Sequence, residues 1–161
     1  MFHKISIFSL LFSSLLFSQT PISNIKLEKA VFLEQIAIDT LGIKSRKLIP
    51  IQHQMVQKGS TLVYVNRLTN TSRVIKRDIM VMNPIPFKTA YLRGSATCEG
   101  SCKIMFSIDG GKSFDYGENL YVRYGTKKRV AVGSEYTHIQ FTFNSLHPFS
   151  KVRMAFKSRL K

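Results

Sequence analysis

The run Ser107-Ile108-Asp109-Gly110-Gly111-Lys112-Ser113-Phe114 places a hydroxyl, a carboxylate, an ammonium and a second hydroxyl within reach of one turn. An Asp in such a turn can cap it, because its short carboxylate accepts from nearby backbone N–H groups. Gly110 and Gly111 permit the reversal, and Phe114 supplies an apolar underside. Ser107, Asp109, Gly111, Ser113 and Phe114 therefore read as a structural hairpin. Two other chemistries fail here on spacing. A P-loop ending at Gly111-Lys112-Ser113 would need its first glycine where Phe106 stands, and a helix after it. Asp109 and Asp115 lack the spacing and the ligand number of an EF-hand.

The other reactive side chains are scattered. Cys98 and Cys102 enclose Glu99-Gly100-Ser101, a spacer short enough for a small disulfide loop if the Cα atoms approach within about 7 Å. A metal site would need two further ligands nearby, and a thioredoxin-type pair would need a two-residue spacer and a helix. His53, His138 and His147 stand far apart, and no Ser, Asp or Cys constellation supports nucleophilic catalysis. No cofactor is implied and the chain reads as a non-enzyme. Basic residues cluster at positions 44–47, 73–77 and 127–129 and along the C-terminal segment. Lys127, Lys128, Arg129, Lys151, Arg153, Lys157 and Arg159 are candidate ligands for phosphate or carboxylate groups. The same cations serve equally as a solvated face and as protection for an edge strand.

The length of 161 residues suits one domain, and 44% hydrophobic with 20% charged residues suits a packed core. Lys4 precedes an apolar run from Ile5 to Phe17, and Ser18, Gln19, Thr20 and Pro21 follow. That is the order of a secretory signal, here residues 1–19. The apolar run is about 13 residues, short of the roughly 20 that span a bilayer, so no transmembrane span is expected in the mature chain. Twenty-four basic residues face nine acidic ones, a net charge of +15. Loss of Lys4 with the leader leaves +14. Such a charge attracts polyanions, and for an exported chain those are envelope polymers rather than a specific nucleic acid.

The mature chain, residues 24–161, reads as strands. We expect strands over residues 26–33, 47–56, 62–68, 73–82, 103–108, 120–124 and 127–132, with a loop at 39–46. Two later segments alternate most cleanly. Ile139, Phe141 and Phe143 oppose His138, Gln140 and Thr142. Val152, Met154, Phe156 and Leu160 oppose Lys151, Arg153, Lys157, Arg159 and Lys161. A period of two means a half-buried strand, here with a cationic outer face. Short strands with turn signals every eight to twelve residues predict an all-β antiparallel sandwich preceded by a signal helix.

Lys58-Gly59-Ser60-Thr61-Leu62-Val63-Tyr64, Asn70-Thr71, Asn83-Pro84-Ile85-Pro86, Tyr91 and Gly94-Ser95-Ala96 together resemble the bacterial conserved repeat domain, domain of unknown function eleven. The resemblance runs from about Lys58 to Leu160. It implies an immunoglobulin-like sandwich of an exported or surface protein with a structural or adhesive role. Asn83 stands where that family usually has an acid. The Ser107–Phe114 run is also similar to the Asp-box hairpin of sialidase-like propellers, with Phe114 in place of Trp.

The function expected is a non-enzymatic cell-envelope module, in periplasm or outside the cell, with a structural, adhesive or protein-binding role; the alternative is a binder of anionic envelope polymers or glycans through basic surface strands. Export by a bacterial host should yield a polypeptide lacking about its first 19 residues by intact mass. A soluble cytosolic form still starting at Met1 would overturn the leader.

Overall fold

Alternation in the sequence becomes eleven strands in the computed structural model, which describes residues 24–161. The signal peptide expected over residues 1–19, with its helix, lies outside the described residues. The strands are β1 (Ile25–Ile38), β2 (Lys44–Pro50), β3 (Thr61–Asn70), β4 (Lys76–Pro84), β5 (Thr89–Tyr91), β6 (Thr97–Cys98), β7 (Lys103–Ser107), β8 (Tyr121–Tyr124), β9 (Lys127–Val130), β10 (His138–Leu146) and β11 (Lys151–Leu160). The larger sheet has the order β2-β1-β3-β11-β5, with β6 also on β11. The smaller has the order β4-β10-β7, and β8 and β9 form a separate ribbon. Every pairing among them is antiparallel. No helix among the described residues is long and apolar enough to cross a membrane.

One apolar cluster draws on both sheets. Leu68, Tyr91, Met154 and Phe156 come from the larger, and Val81, Ile139, Phe141 and Phe143 from the smaller. Ile139 and Phe141 are 0% exposed and Phe156 2%, as alternation in β10 and β11 requires. Burial of each such side chain is worth about 1.5–3 kcal/mol. Tyr64 stacks on Phe156 at 4.7 Å between ring centroids.

Several boundaries differ from the sequence reading. β1 runs on to Ile38, past residue 33, because β2 pairs with it that far. β2 begins at Lys44, inside the expected loop, where it pairs with Ile38. It ends at Pro50, and a single 3-10 turn, Ile51–His53, follows. A proline cannot donate to a ladder, so the strand stops where pairing would need its N–H. β2 is an edge strand, where a proline costs no ladder bond.

Polar side chains fix how the sheets meet. Asn70, 0% exposed, ends β3. Its Nδ2 donates to the carbonyls of Val74 (2.8 Å), Leu146 (3.0 Å) and His147 (3.1 Å). Its Oδ1 accepts from the Ser72 N–H (3.0 Å) and hydroxyl (2.7 Å). Asn66 on β3 donates to Asn83 on β4, both buried, joining the two sheets. A neutral amide suits position 83, since a carboxylate there would carry a charge into the core.

Replacing Asn70 by Ala leaves Leu146 and His147 carbonyls without that donor. Asn70→Ala should cost about 2–3 kcal/mol of unfolding free energy in urea titration. A loss under about 0.5 kcal/mol, the range of ordinary surface changes, would show that water replaces the amide.

Candidate polyanion interface

The β8–β9 ribbon stands on two buried residues. Leu120 (7% exposed) and Ala131 (0%) flank its ends, joined by a 2.8 Å bond from the Ala131 N–H to the Leu120 carbonyl. Between them, residues 121–130 read Tyr-Val-Arg-Tyr-Gly-Thr-Lys-Lys-Arg-Val, with four cations and no acid. Antiparallel register sets Arg123 opposite Lys128 and Tyr124 opposite Lys127. Like charges opposite one another repel, so this pairing gains from an external anion. Tyr121 and Tyr124 are exposed, at 43% and 61%. The Lys128 ammonium lies 3.9 Å from the Tyr121 ring centroid. A cation on an aromatic face is a stable partner that still leaves donors free for an anion.

Arg129 is committed elsewhere. Its guanidinium forks onto Glu135 at 2.6 and 2.8 Å and donates to the Tyr124 hydroxyl at 3.0 Å. Tyr124 donates in turn to Glu135 at 3.2 Å, and the Val132 N–H to the other Glu135 oxygen at 2.8 Å. This triad ties the ribbon to the 131–135 turn, which docks on β5 through the Tyr91 N–H and the Gly133 carbonyl (3.0 Å). A side chain at Gly133 would put its Cβ 2.0 Å from the Tyr91 carbonyl oxygen. Arg123, Lys127 and Lys128 are the cations that the ribbon presents outward.

The cations of β11 lie on the larger sheet, apart from those of β9. Arg153 sits beside Arg67, itself beside Glu28, and Lys151 beside Thr69, itself beside Lys26. Lys157 is held by Glu34 at 2.5 Å, over the buried Val63 opposite it. Arg159 is exposed next to Thr61. Because β11 has β3 on one side and β5 and β6 on the other, its cations protect no edge.

The Asp109 turn consumes its own chemistry. Asp109 Oδ1 accepts from Ser107 Oγ (2.7 Å) and from the N–H groups of Lys112 and Ser113 (both 3.0 Å). Oδ2 accepts from Ser113 Oγ at 2.6 Å. Ser107 Oγ also takes the Gly111 N–H at 2.9 Å, and Phe106 bridges Asp115 in backbone pairing. Phe114 is half-buried. Cys98 and Cys102 lie at disulfide distance, 1.96 Å between sulfurs, and β6 carries Cys98 onto Met154 of β11.

Neither His138 nor His147 joins a group of converging side chains. His138 packs on Gly111 with Nδ1 3.2 Å from Thr137 Oγ1, while His147 lies exposed. Among the described residues no group of three or more His, Cys, Asp or Glu could hold a metal ion. A cleft of about 250 Å³ over Tyr91, Phe106 and Tyr136 is bordered by one carboxylate, Glu118. Sequence reasoning passed over Arg123 and the two tyrosines, although Tyr121-Val122-Arg123-Tyr124 shortly before Lys127-Lys128-Arg129 carries the signal of basic residues interleaved with aromatics. No family model and no curated protein matches the chain.

Four carboxylates sit below their ordinary range, Glu28 among them through its bond to the Lys26 ammonium. The Ser113 and Ser107 hydroxyls hold Asp109 far down, Asn119 lowers Asp115, and the Arg129 guanidinium brings Glu135 to about 2. A carboxylate depressed by folding stabilises above its unfolded pKa of roughly 4, and the gain is lost as pH falls through the folded value. Urea midpoints should therefore be level near neutrality and decline from about pH 4.5 toward pH 2. Asp109→Asn should lower the neutral plateau and soften that decline. An unchanged decline would exclude the turn carboxylate as a cause.

Proposed function

We propose that residues 24–161 form a non-enzymatic, immunoglobulin-like module of the cell envelope that binds an anionic polymer through the β8–β9 ribbon. The carrying observation is four cations without an acid in residues 121–130, beside two exposed tyrosines. Phosphate or carboxylate polymers match this chemistry. Lys and Arg neutralise the repeating charge, and tyrosine faces pack on sugar or backbone edges without demanding a sequence. Arg129 positions the ribbon, and Arg123, Lys127 and Lys128 make the contacts. The leader reading and the resemblance to exported repeat domains support placement in the periplasm or at the surface.

A protein-binding role is the second reading, favoured by the outer face of the smaller sheet. Met82 and Met105 flank Gln140 there, and Met80 accepts from the Gln140 amide at 3.6 Å. Met80 and Met82 are 64% and 56% exposed, and exposed thioethers suit adaptable protein contacts.

Polyphosphate is a suitable probe, titrated at rising salt. Affinity should fall steeply with ionic strength, and Lys127→Ala/Lys128→Ala should reduce the logarithmic salt slope by about 1–2. Salt-independent binding, or an unchanged slope in the double variant, would refute the ribbon as the polymer site.

A further inference from the structure

Strands β1 and β2 outrun the rest of the larger sheet. β3 follows β1 only as far as Glu34, opposite Thr61, whereas the β1–β2 ladder continues to Ile38 opposite Lys44. Residues 35–47 are therefore a two-stranded arm whose ladder extends roughly 13 Å past the last β3 pair at ordinary strand rise. Its apolar side chains lie open to solvent: Ile36 is 68% exposed, Ile38 62%, Leu41 82% and Ile43 60%. Ile36 and Ile38 share one face by alternation.

The tip is shaped by bonds, not left loose. Asp39 Oδ1 accepts from the N–H groups of Leu41 (2.9 Å) and Ile43 (2.8 Å), and the Asp39 N–H reaches the Ile43 carbonyl at 3.1 Å. Gly42 takes a left-handed φ of +78° that the turn requires. Asp39 thus spends its carboxylate on the turn, and Glu34 at the base holds Lys157. Lys44, Arg46 and Lys47 flank the exposed aliphatics with no other acid in the arm. By register, Arg159, Lys88 and Lys161 belong to the same end of the sheet, since Leu160 pairs with Thr89 and the Lys161 N–H bonds the Lys88 carbonyl at 2.9 Å. Phe87, 94% exposed, precedes Lys88.

We propose that this arm seats on a bilayer rich in anionic phospholipid. Leu41 and Ile43 enter the boundary between headgroups and acyl chains, and Lys44, Arg46 and Lys47 meet the phosphates. An exposed aliphatic tip backed by cations is complementary to that surface on both counts. A second copy is a poorer occupant. Pairing β2 with β2 would set Lys44, Arg46 and Lys47 against the same cations of the partner, between two chains of +15 each. The inference is independent of the polymer reading, because it uses a different element.

The chain contains no Trp, so Leu41→Trp introduces a sole indole reporter at an exposed site. With the exported chain and vesicles of equal phosphatidylglycerol and phosphatidylcholine, its emission should shift to the blue and be quenched by brominated acyl chains. Pure phosphatidylcholine and soluble polyphosphate should leave the emission unshifted. Co-sedimentation with the same anionic vesicles should weaken on the order of a hundredfold in Leu41→Ser/Ile43→Ser, with an unaltered circular dichroism spectrum. Lys127→Ala/Lys128→Ala should keep the blue shift, which separates this proposal from the ribbon. Water-like emission on anionic vesicles, equal response to pure phosphatidylcholine, or parental sedimentation of the double variant would overturn it. A blue shift that grows with protein concentration without vesicles would overturn it in favour of self-association.

Discussion

Two of the chain crossings between the sheets meet on the Asn70 side chain. The turn from β3 into β4 leaves the larger sheet for the smaller, and the turn from β10 into β11 returns. Asn70 bonds Ser72 and Val74 in the first and Leu146 and His147 in the second. Only a primary amide offers donors and an acceptor from so small a side chain. Asp would set a carboxylate against three carbonyls, and Leu would satisfy none of them. The apolar cluster is non-directional and tolerates sliding. The amide does not, so it specifies how β3 and β11 stand relative to β10. The position of every surface cation on β11 follows from that register.

Seven of the nine acids are occupied by the fold, which leaves most of the cations without an acidic partner. Asp39 and Asp109 cap turns, and Asp115 bonds the Tyr116 N–H and Asn119. Glu34 holds Lys157, Glu135 holds Arg129, and Glu28 holds Lys26 at 2.7 Å. Glu99 accepts the Arg153 N–H. Nine acids against twenty-four bases would leave an excess in any arrangement. This arrangement commits four carboxylates to turns and backbone and three to ion pairs. The β8–β9 ribbon and the β1–β2 arm are left as stretches where positive charge lacks an internal partner. Self-repulsion of that kind costs stability, and a bound polyanion relieves it.

What was legible in the sequence is what local chemistry decides. The two-residue alternation of β10 and β11 marks Ile139, Phe141, Phe143, Met154 and Phe156 as buried, whereas the burial of Gln140 on the opposite face and of Ser158 comes from neighbours that the period does not show. Ser107, Asp109 and Ser113 declared their turn through side chains that bond within four residues. The Cys98–Cys102 pairing was readable from a short spacer. Residues 34–38 become a strand only with residues 44–48 beside them, a partner specified by the Asp39 turn, so local pattern alone ends β1 early and starts β2 late. Arg129 looked free until Glu135, six residues on, proved to be its partner across a turn. The two tyrosines of the ribbon alternate weakly with the cations and reveal their exposure only in three dimensions. The immunoglobulin-like reading rests on short motifs in order, of which Asn83 finds a role as a buried amide partner of Asn66.

The two surfaces differ in what salt can remove. On the ribbon, the tyrosine rings already pack against cations, so most of the attraction to a polymer is charge neutralisation. Screening over about 8 Å at physiological ionic strength acts on it directly. On the arm, four aliphatic side chains stand in water and are not screened at all. Their contribution grows with apolar area covered and is indifferent to ions. The cations of the arm bring it to an anionic surface, and the aliphatics keep it there. A chain carrying both would hold its place by the arm through changes in ionic conditions while exchanging polymer at the ribbon. The base of the ribbon lies near the C-terminus, where Lys161 Nζ reaches the Ser134 carbonyl at 3.4 Å, toward the end of the sheet from which the arm extends. Protein held by the arm would therefore present the base of the ribbon at that same end of the sheet.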